Sequence, residues 1–317
     1  MTRRMLAAAA VLVSVVANVR AVYDPNVSDW VFGLAIQNDG KAVIGGFFTN
    51  VNGSVVTGYT RLLQNGNLDT NFAMGANGAA GYMLKLSDGK IMVGGFFNQI
   101  AGKSRSYLAR LTADGVVDDV FTNGASFDVR AFAEQSDGKI LVGGNYSTLG
   151  GYPYGCLGRL NADGTVDTNF HNANITGSDG VLAIVQLNSG KILVGGSFTN
   201  VDGNTCSAFA RLNSDGTFDG TFTHSANDAL TVLYKLPDGR ILVGGWFTTI
   251  AGAAKQRLAL LDANGNVIDT YTNNAGSAVQ SFARQSDGKI VLGGYFGAIE
   301  AETHQYIARL NADLTLD

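Results

Sequence analysis

Ser136-Asp137-Gly138-Lys139-Ile140-Leu141-Val142-Gly143-Gly144 decides the fold, because it reads as a tight turn, an apolar strand and a double glycine. The double glycine recurs at Gly45-Gly46, Gly94-Gly95, Gly143-Gly144, Gly195-Gly196, Gly244-Gly245 and Gly293-Gly294, at spacings of 49, 49, 52, 49 and 49 residues. A fixed period of about 20 to 50 residues marks a solenoid, propeller or array. Each period holds an apolar strand, a Ser-Asp-Gly turn, the strand ending in Gly-Gly and a loop of about ten residues. A strand ending Arg-Leu, a second Asp-Gly turn and a short strand follow. No stretch after the N-terminus has the 3.6-residue apolar period of a helix. Four-stranded units repeated radially build a β-propeller. The expectation is an all-β, six-bladed β-propeller with four antiparallel strands per blade, forming one domain over residues 22–317. Apolar runs such as Ile140-Leu141-Val142 fit strands buried on both faces. The paired glycines fit close approach of neighbouring blades.

Working outward, residues 1–21 read as a secretory signal peptide: Arg3 and Arg4 begin it, Met5 to Ala17 are apolar, and Val19-Arg20-Ala21 is a cleavage site. The expected location is secreted or at the cell surface, with no membrane span in the mature chain. An uncleaved anchor and a twin-arginine signal, from Thr2-Arg3-Arg4-Met5-Leu6, remain open. Only 15% of residues are charged, against about 25% in an average soluble protein. The net charge of −4 comes without a basic stripe, which argues against a nucleic-acid partner. Cys156 and Cys206 are the two cysteines; strand parity opposes a disulfide between neighbouring blades, so buried free thiols are expected. Asp24-Pro25-Asn26-Val27 echoes the Asp-Thr-Asn-Phe that ends several repeats, and the chain stops at Asp317 within that phrase. Ring closure by the N-terminal segment and a cut from a longer array are both compatible with this.

In Leu160-Asn161-Ala162-Asp163-Gly164-Thr165-Val166-Asp167, a three-residue loop with a left-handed glycine pairs Asn161 with Thr165, Leu160 with Val166 and Arg159 with Asp167. The same offset joins Arg61 to Asp69, Arg110 to Asp118, Arg211 to Asp219 and Arg309 to Asp317. The fifth repeat has Leu260 and Ile268 instead. A charged pair exchanged as a unit for an apolar pair marks a structural cross-strand contact. A calcium-loop reading of the same turn places its first ligand on Arg159, which repels the ion.

At this point the repeat, Asp-Gly-Lys-Ile-Leu-Val-Gly-Gly-x-Phe-Thr followed by Leu-Ala-Arg-Leu-Asn-x-Asp-Gly-x-x-Asp-x-x-Phe, resembles the delta-60 repeat family of β-propellers in exported proteins. It is more weakly similar to kelch repeats. The resemblance implies fold and export and supplies no active-site residues.

Both Asp-Gly turns of a repeat fall on one face, and the longer loops on the other, where binding residues usually sit. The candidate ligand-binding residues on those loops are His171, Asn172, Asn174, His224, Asn227, Asp228, Asn273 and Asn274. Their imidazoles and amides suit a glycan or peptide, and they equally suit the capping of turn backbones. The loop from His171 to Gly180, longer by three residues, is the first choice for a specialised contact. The expected channel-mouth positions are Phe32, Gly81 with Tyr82 beside it, Arg130, Leu182, Thr231 and Gln280. They carry no ring of carboxylates or histidines, which argues against a metal-dependent hydrolase. Glu300, Glu302 and His304 alternate and could share a metal if extended; a solvated polar strip is the alternative. The expectation is a non-catalytic binding or adhesion module for a protein or glycan, without cofactor. A surface scaffold and, less favoured, a propeller hydrolase are its rivals.

Overall fold

The structure, a computed structural model, describes residues 25–73 and 75–317, so the signal peptide expected at 1–21 lies outside the described residues. Every regular element among them is a strand, and the chain is a six-bladed β-propeller. Three main strands form each blade. Blade 1 has Val31–Ile36, Ala42–Gly46 and Tyr59–Leu62; blade 2 has Ala79–Lys85, Ile91–Phe96 and Leu108–Leu111. Blade 3 has Val129–Glu134, Ile140–Gly144 and Leu157–Leu160, and blade 4 has Thr176–Gln186, Ile192–Val201 and Phe209–Leu212. Blade 5 has Leu230–Lys235, Ile241–Gly245 and Leu258–Leu261, and blade 6 has Val279–Arg284, Ile290–Gly294 and Ile307–Leu310. In each blade the strand bearing the double glycine lies between the other two. The chain divides into two compact units, one of blades 1 to 3 and one of blades 4 to 6.

The fourth strand is present as a single antiparallel bridge per blade, such as Leu62 to Leu68, Leu160 to Val166 and Leu212 to Phe218. Its brevity has a local cause. The aspartate one residue on turns its own carboxylate back to cap the chain, as Asp69 Oδ1 does for the Asn71 amide at 3.1 Å and Asp219 Oδ1 for that of Thr221 at 3.1 Å. The strand therefore stops. The aromatic that follows, Phe72, Phe121, Phe170, Phe222 or Tyr271, is buried. Phe72 joins residues of blades 1 and 2 in one apolar cluster, as Tyr271 does for blades 5 and 6.

Both expected turns form. Gly138 (φ 79°) and Gly164 (φ 98°) take the left-handed conformation, and Asn161 and Asp167 donate to Thr165 and Arg159 as the spacing predicts. Each arginine then reaches its aspartate: Arg61 Nε to Asp69 at 2.9 Å, Arg110 at 2.8 Å, Arg159 at 2.8 Å, Arg211 at 2.6 Å, and Arg309 to Asp317. A lysine of the first turn approaches the same carboxylate, as Lys139 does Asp167 at 2.9 Å and Lys191 does Asp219 at 2.6 Å. The guanidinium also crosses to the next blade. Arg61 donates to the Ala113 carbonyl at 2.9 Å, Arg110 to those of Ala162 and Asp163 at 3.2 and 3.0 Å, and Arg211 to that of Asn264 at 3.0 Å. The turn at Ala162-Asp163, the calcium-loop candidate, thus has its carbonyls held by the Arg110 guanidinium.

The two glycines of each pair have different jobs. A Cβ on Gly45 would strike the Ala80 carbonyl of blade 2, and one on Gly244 would meet Val279 of blade 6. The expected close approach of neighbouring blades holds for this first glycine. A Cβ on the second glycine would instead strike the first strand of its own blade, as Gly46 would Trp30 and Gly294 would Ala278. That carbonyl lies at a register shift, for example between Val31 and Gly33, so the second glycine accommodates a β-bulge.

The loop after the double glycine is not irregular. Asn50–Val51 pairs with Ser54–Val55, Gln99–Ile100 with Lys103–Ser104, Thr249–Ile250 with Ala253–Ala254, and Ala298–Ile299 with Glu302–Thr303. Each is a two-residue hairpin with both turn residues at positive φ, as at Asn52-Gly53 and Ala251-Gly252. The three extra residues of the fourth repeat do not make a longer loop. Thr176–Gln186 pairs as far as Asn200 through several register shifts, so the insertion is absorbed as bulged strand.

Candidate functional site

The longer segments between blades begin beside the turn of the next blade and end beside its hairpin, which revises their placement on a single face. The His171 amide donates to the Asp215 carbonyl at 2.7 Å, and two residues later Ala173 accepts from Asp202 at 2.8 Å. His171 itself is exposed, with Nε2 3.0 Å from both carboxylate oxygens of Asp202. Asn172 Oδ1 accepts from the amides of Gly155 at 3.2 Å and Asn174 at 3.1 Å. Asn174 takes a positive φ of 40°.

In the second unit the other candidates are also engaged. His224 Nε2 lies 2.9 Å from Asn266 Oδ1. Asn227 Oδ1 accepts from the amides of Thr248 and Thr249, both at 2.9 Å, tying the hairpin to the incoming chain. In blades 1 to 3 Ser28, Asn77 and Ser126 hold their hairpins in the same way. Asn273 is buried and donates to the Leu314 carbonyl at 3.0 Å. Asn274 Oδ1 accepts from Gln256 at 3.0 Å. Asp228 is exposed and accepts from the Ala229 amide at 2.7 Å. The structure therefore leaves His171, Asn174, Asn227, Asp228 and Asn274 exposed, buries Asn273, and uses most of the amides to satisfy backbone.

The expected channel-mouth positions are no more convergent. Arg130 pairs with the buried Asp128. Thr231 Oγ1 donates to the Val279 carbonyl at 2.7 Å. Tyr82, Leu182 and Gln280 are half-buried, and Phe32 is exposed against Gly81. Glu300, Glu302 and His304 do not form an extended strip. Glu300 and Ala301 are the two turn residues of a hairpin, at φ 49° and 69°, which breaks the alternation a shared metal requires. His304 Nε2 lies 3.8 Å from Glu302, and no group of three ligand side chains gathers among the described residues. In the first unit an open depression of about 380 Å³ runs from Val55 to Asn77 and Gln99, with no ionisable side chain in its lining.

Cys156 and Cys206 are free thiols; Cys156 is buried as expected, Cys206 only half-buried, and the parity argument does not apply. Neither residue lies in a strand. Cys156 occupies a left-handed position (φ 65°) that recurs at Gly58, Tyr107, Ala208, Arg257 and Tyr306, just before the third strand of each blade. Burial pushes the Cys206 thiol up to about 11.

What the sequence reading missed is aromatic. The residue immediately after the double glycine is Phe47, Phe96, Asn145, Ser197, Trp246 or Tyr295. The four aromatics among them are 40 to 52% exposed. In blade 1, Trp30 and Phe32 lie edge-on in sequence with Phe47, at centroid distances of 5.8 and 5.3 Å. Phe96 of blade 2 meets Phe127 of blade 3 at 5.1 Å and Tyr107 at 6.5 Å. In the second unit Trp246 and Tyr295 stack at 5.8 Å with 30° between their planes. The signal was available, since an aromatic follows Gly-Gly in four of six repeats; it was absorbed into strand patterning, where aromatics are common.

The family model described as the domain of unknown function (DUF5122) beta-propeller matches six segments: 37–72, 86–121, 135–170, 187–222, 236–267 and 285–317. The chain belongs to the DUF5122 β-propeller family. Each DUF5122 segment opens at the first turn of a blade, one residue after its first strand ends, and so holds the double glycine, the hairpin and the second turn. The candidates His171, Asn172, Asn174, His224, Asn227, Asp228, Asn273 and Asn274 all fall between segments, whereas Phe47, Phe96, Trp246 and Tyr295 lie inside them. No curated protein sequence matches this DUF5122 chain. Among solved structures it is similar to the WD40 β-propeller domain of Doa1, at a TM-score of 0.53 and 13% identity, covering 90% of this chain and 87% of that one. It is also similar to virginiamycin B lyase from Staphylococcus aureus (TM-score 0.49, 11% identity, 90% and 83% covered). A third is the extracellular domain of a one component system, BT4673, from B. thetaiotaomicron (TM-score 0.42, 14% identity, 91% covered), of whose length the chain spans 34%. At these identities the likeness is one of fold alone.

Proposed function

We propose that this chain is an exported, non-catalytic binding module that presents the double-glycine end of its blades to a glycan or protein ligand. The observation that supports the reading is the set of half-exposed aromatics at one repeat position, Phe47, Phe96, Trp246 and Tyr295, held on strand ends by paired glycines. Large apolar side chains grouped at the surface mark interaction sites. Their rigid backbone mounting lowers the ordering cost of binding. The exposed Asp228 caps the amide of Ala229, whose carbonyl receives the Trp246 amide, and adds a polar group beside that end.

The test is a glycan array and a panel of immobilised extracellular proteins probed with the purified protein. The wild type is compared with a triple variant (His171→Ala, Asn172→Ala, Asn174→Ala) and with Phe47→Ser/Phe96→Ser. Specific binding weakened by either variant supports the module. Self-association that survives both, with no external ligand, overturns it in favour of a scaffold.

A further inference from the structure

In the second unit, the two aromatics that follow the double glycines form a shelf with polar groups on either side. Trp246 and Tyr295 are 43 and 48% exposed and lie near-parallel, 5.8 Å apart. Both are clamped from behind. The Trp246 amide donates to Ala229 at 2.9 Å and that of Tyr295 to Ala278 at 2.8 Å. The glycines that precede them cannot carry a side chain without striking those same carbonyls. The rings are therefore presented by the first residue past each strand, where the backbone is tied to its own blade.

The neighbours of Trp246 narrow the ligand class. On the first-strand side stands Asp228, exposed, its Oδ1 accepting from the amide of Ala229, whose carbonyl in turn receives the Trp246 amide. On the third-strand side stands Arg257, whose carbonyl accepts from Gly245 at 3.2 Å. Residues of opposite charge thus stand on the two sides of Trp246, so a net charge of either sign on the ligand would be attracted by one and repelled by the other, and a purely apolar surface would cover both, which is costly. A polyhydroxylated neutral ring satisfies all three elements. Its C–H face packs on the aromatic shelf, and its hydroxyls donate to a carboxylate and accept from a guanidinium. We propose that the Trp246–Tyr295 shelf binds a neutral hexopyranose unit of a glycan, with Asp228 and Arg257 reading its hydroxyls. The inference rests on the binding-module reading and assigns the ligand class and the subsite.

The protein has two tryptophans, so Trp30→Phe leaves Trp246 as the sole indole reporter. Neutral hexasaccharides of glucose, mannose and N-acetylglucosamine are titrated into that variant by fluorescence, and into the wild type by calorimetry, with polygalacturonate and tetralysine as charged probes. The expected result is a saturable change with at least one neutral hexasaccharide. Affinity should fall by about tenfold or more in Trp246→Ala and in Tyr295→Ala, less in Trp246→Phe, and also in Asp228→Ala and Arg257→Ala, all with unchanged circular dichroism. Binding only of tetralysine or polygalacturonate would overturn the assignment, as would sugar binding indifferent to Trp246→Ala and Tyr295→Ala. Binding lost in the Phe47/Phe96 variant but kept in Trp246→Ala would sink this inference while leaving the module reading intact. No ligand in either experiment would sink both.

Discussion

Leu260 of blade 5 and Leu314 of blade 6 lie in one apolar cluster, at two positions that elsewhere hold an arginine and a glycine. In blades 1 and 2 the arginine reaches the next blade's turn, and that turn's glycine packs on the aromatic the arginine covers. Arg61 lies 4.6 Å over Phe72, and a Cβ on Gly115 would collide with that ring. In blade 5 the arginine, aspartate and phenylalanine become Leu260, Ile268 and Tyr271. The turn glycine of blade 6 becomes Leu314, held at φ 74°, with its carbonyl taken by Asn273. A polar interlock has been exchanged, as a set, for an apolar one.

Leu260→Arg alone would bury a guanidinium opposite Ile268 and against Leu314. The expected loss is about 3–5 kcal/mol, the cost of an uncompensated buried charge. Adding Ile268→Asp and Leu314→Gly should recover most of it. Urea denaturation of the single and triple variants reads this directly, and a near-neutral single variant would contradict the interlock.

The reverse exchange tests the polar version. Arg110→Leu leaves the buried Asp118 with Lys90, 3.2 Å away and partly exposed, as its cationic partner beside the Val120 amide; a loss of roughly 3 kcal/mol is expected. Arg110→Leu with Asp118→Ile copies the blade 5 pair and should lie much closer to wild type. If both variants lose the same stability in denaturant, the cross-strand pair is not the unit of exchange.

Acid should weaken the blades. Burial by itself would raise Asp219, but hydrogen bonds from Lys191, Thr221 and Arg211 outweigh it and hold the carboxyl well below the usual range. Asp69 and Asp118 are lowered in the same sense. A carboxylate depressed in the native state stabilises fully above its unfolded value near pH 4, about 3.9 for aspartate, and that stability is lost as pH falls through the native value. Thermal melts should therefore hold steady from neutrality to about pH 5 and decline below about pH 4. The decline should flatten in Asp219→Asn, which already lacks the group.

Glycine replacements should rank by space rather than by φ. Gly53→Ala meets open space at φ 80° and should cost about 1 kcal/mol. Gly45→Ala drives a methyl into the Ala80 carbonyl and should cost about 3 kcal/mol or more. Melting temperatures in the opposite order would remove close blade packing as the reason for the first glycine.

Thiol titration without reductant should find no fast-reacting cysteine at pH 7, because Cys156 is buried and burial raises Cys206. Both should react once the chain is unfolded. Fewer than two reactive thiols in denaturant would indicate a disulfide.

The sequence by itself determined the periodic part of this protein: six repeats, the turn geometry, and the pairing of Arg159 with Asp167 and of Leu260 with Ile268. These follow from contacts a few residues apart in one hairpin, where spacing alone sets the register. Only the tertiary structure decided the rest. It showed that the two glycines of a pair serve different neighbours, that the candidate amides Asn227 and Asn273 hold backbone, and that Glu300 sits in a turn. It also showed that Trp246 and Tyr295, 49 residues apart, stack at the surface. Whether a polar group caps a turn or faces solvent, and whether an aromatic is core or shelf, depends on side chains that neighbouring blades bring alongside, and no spacing within one repeat records that.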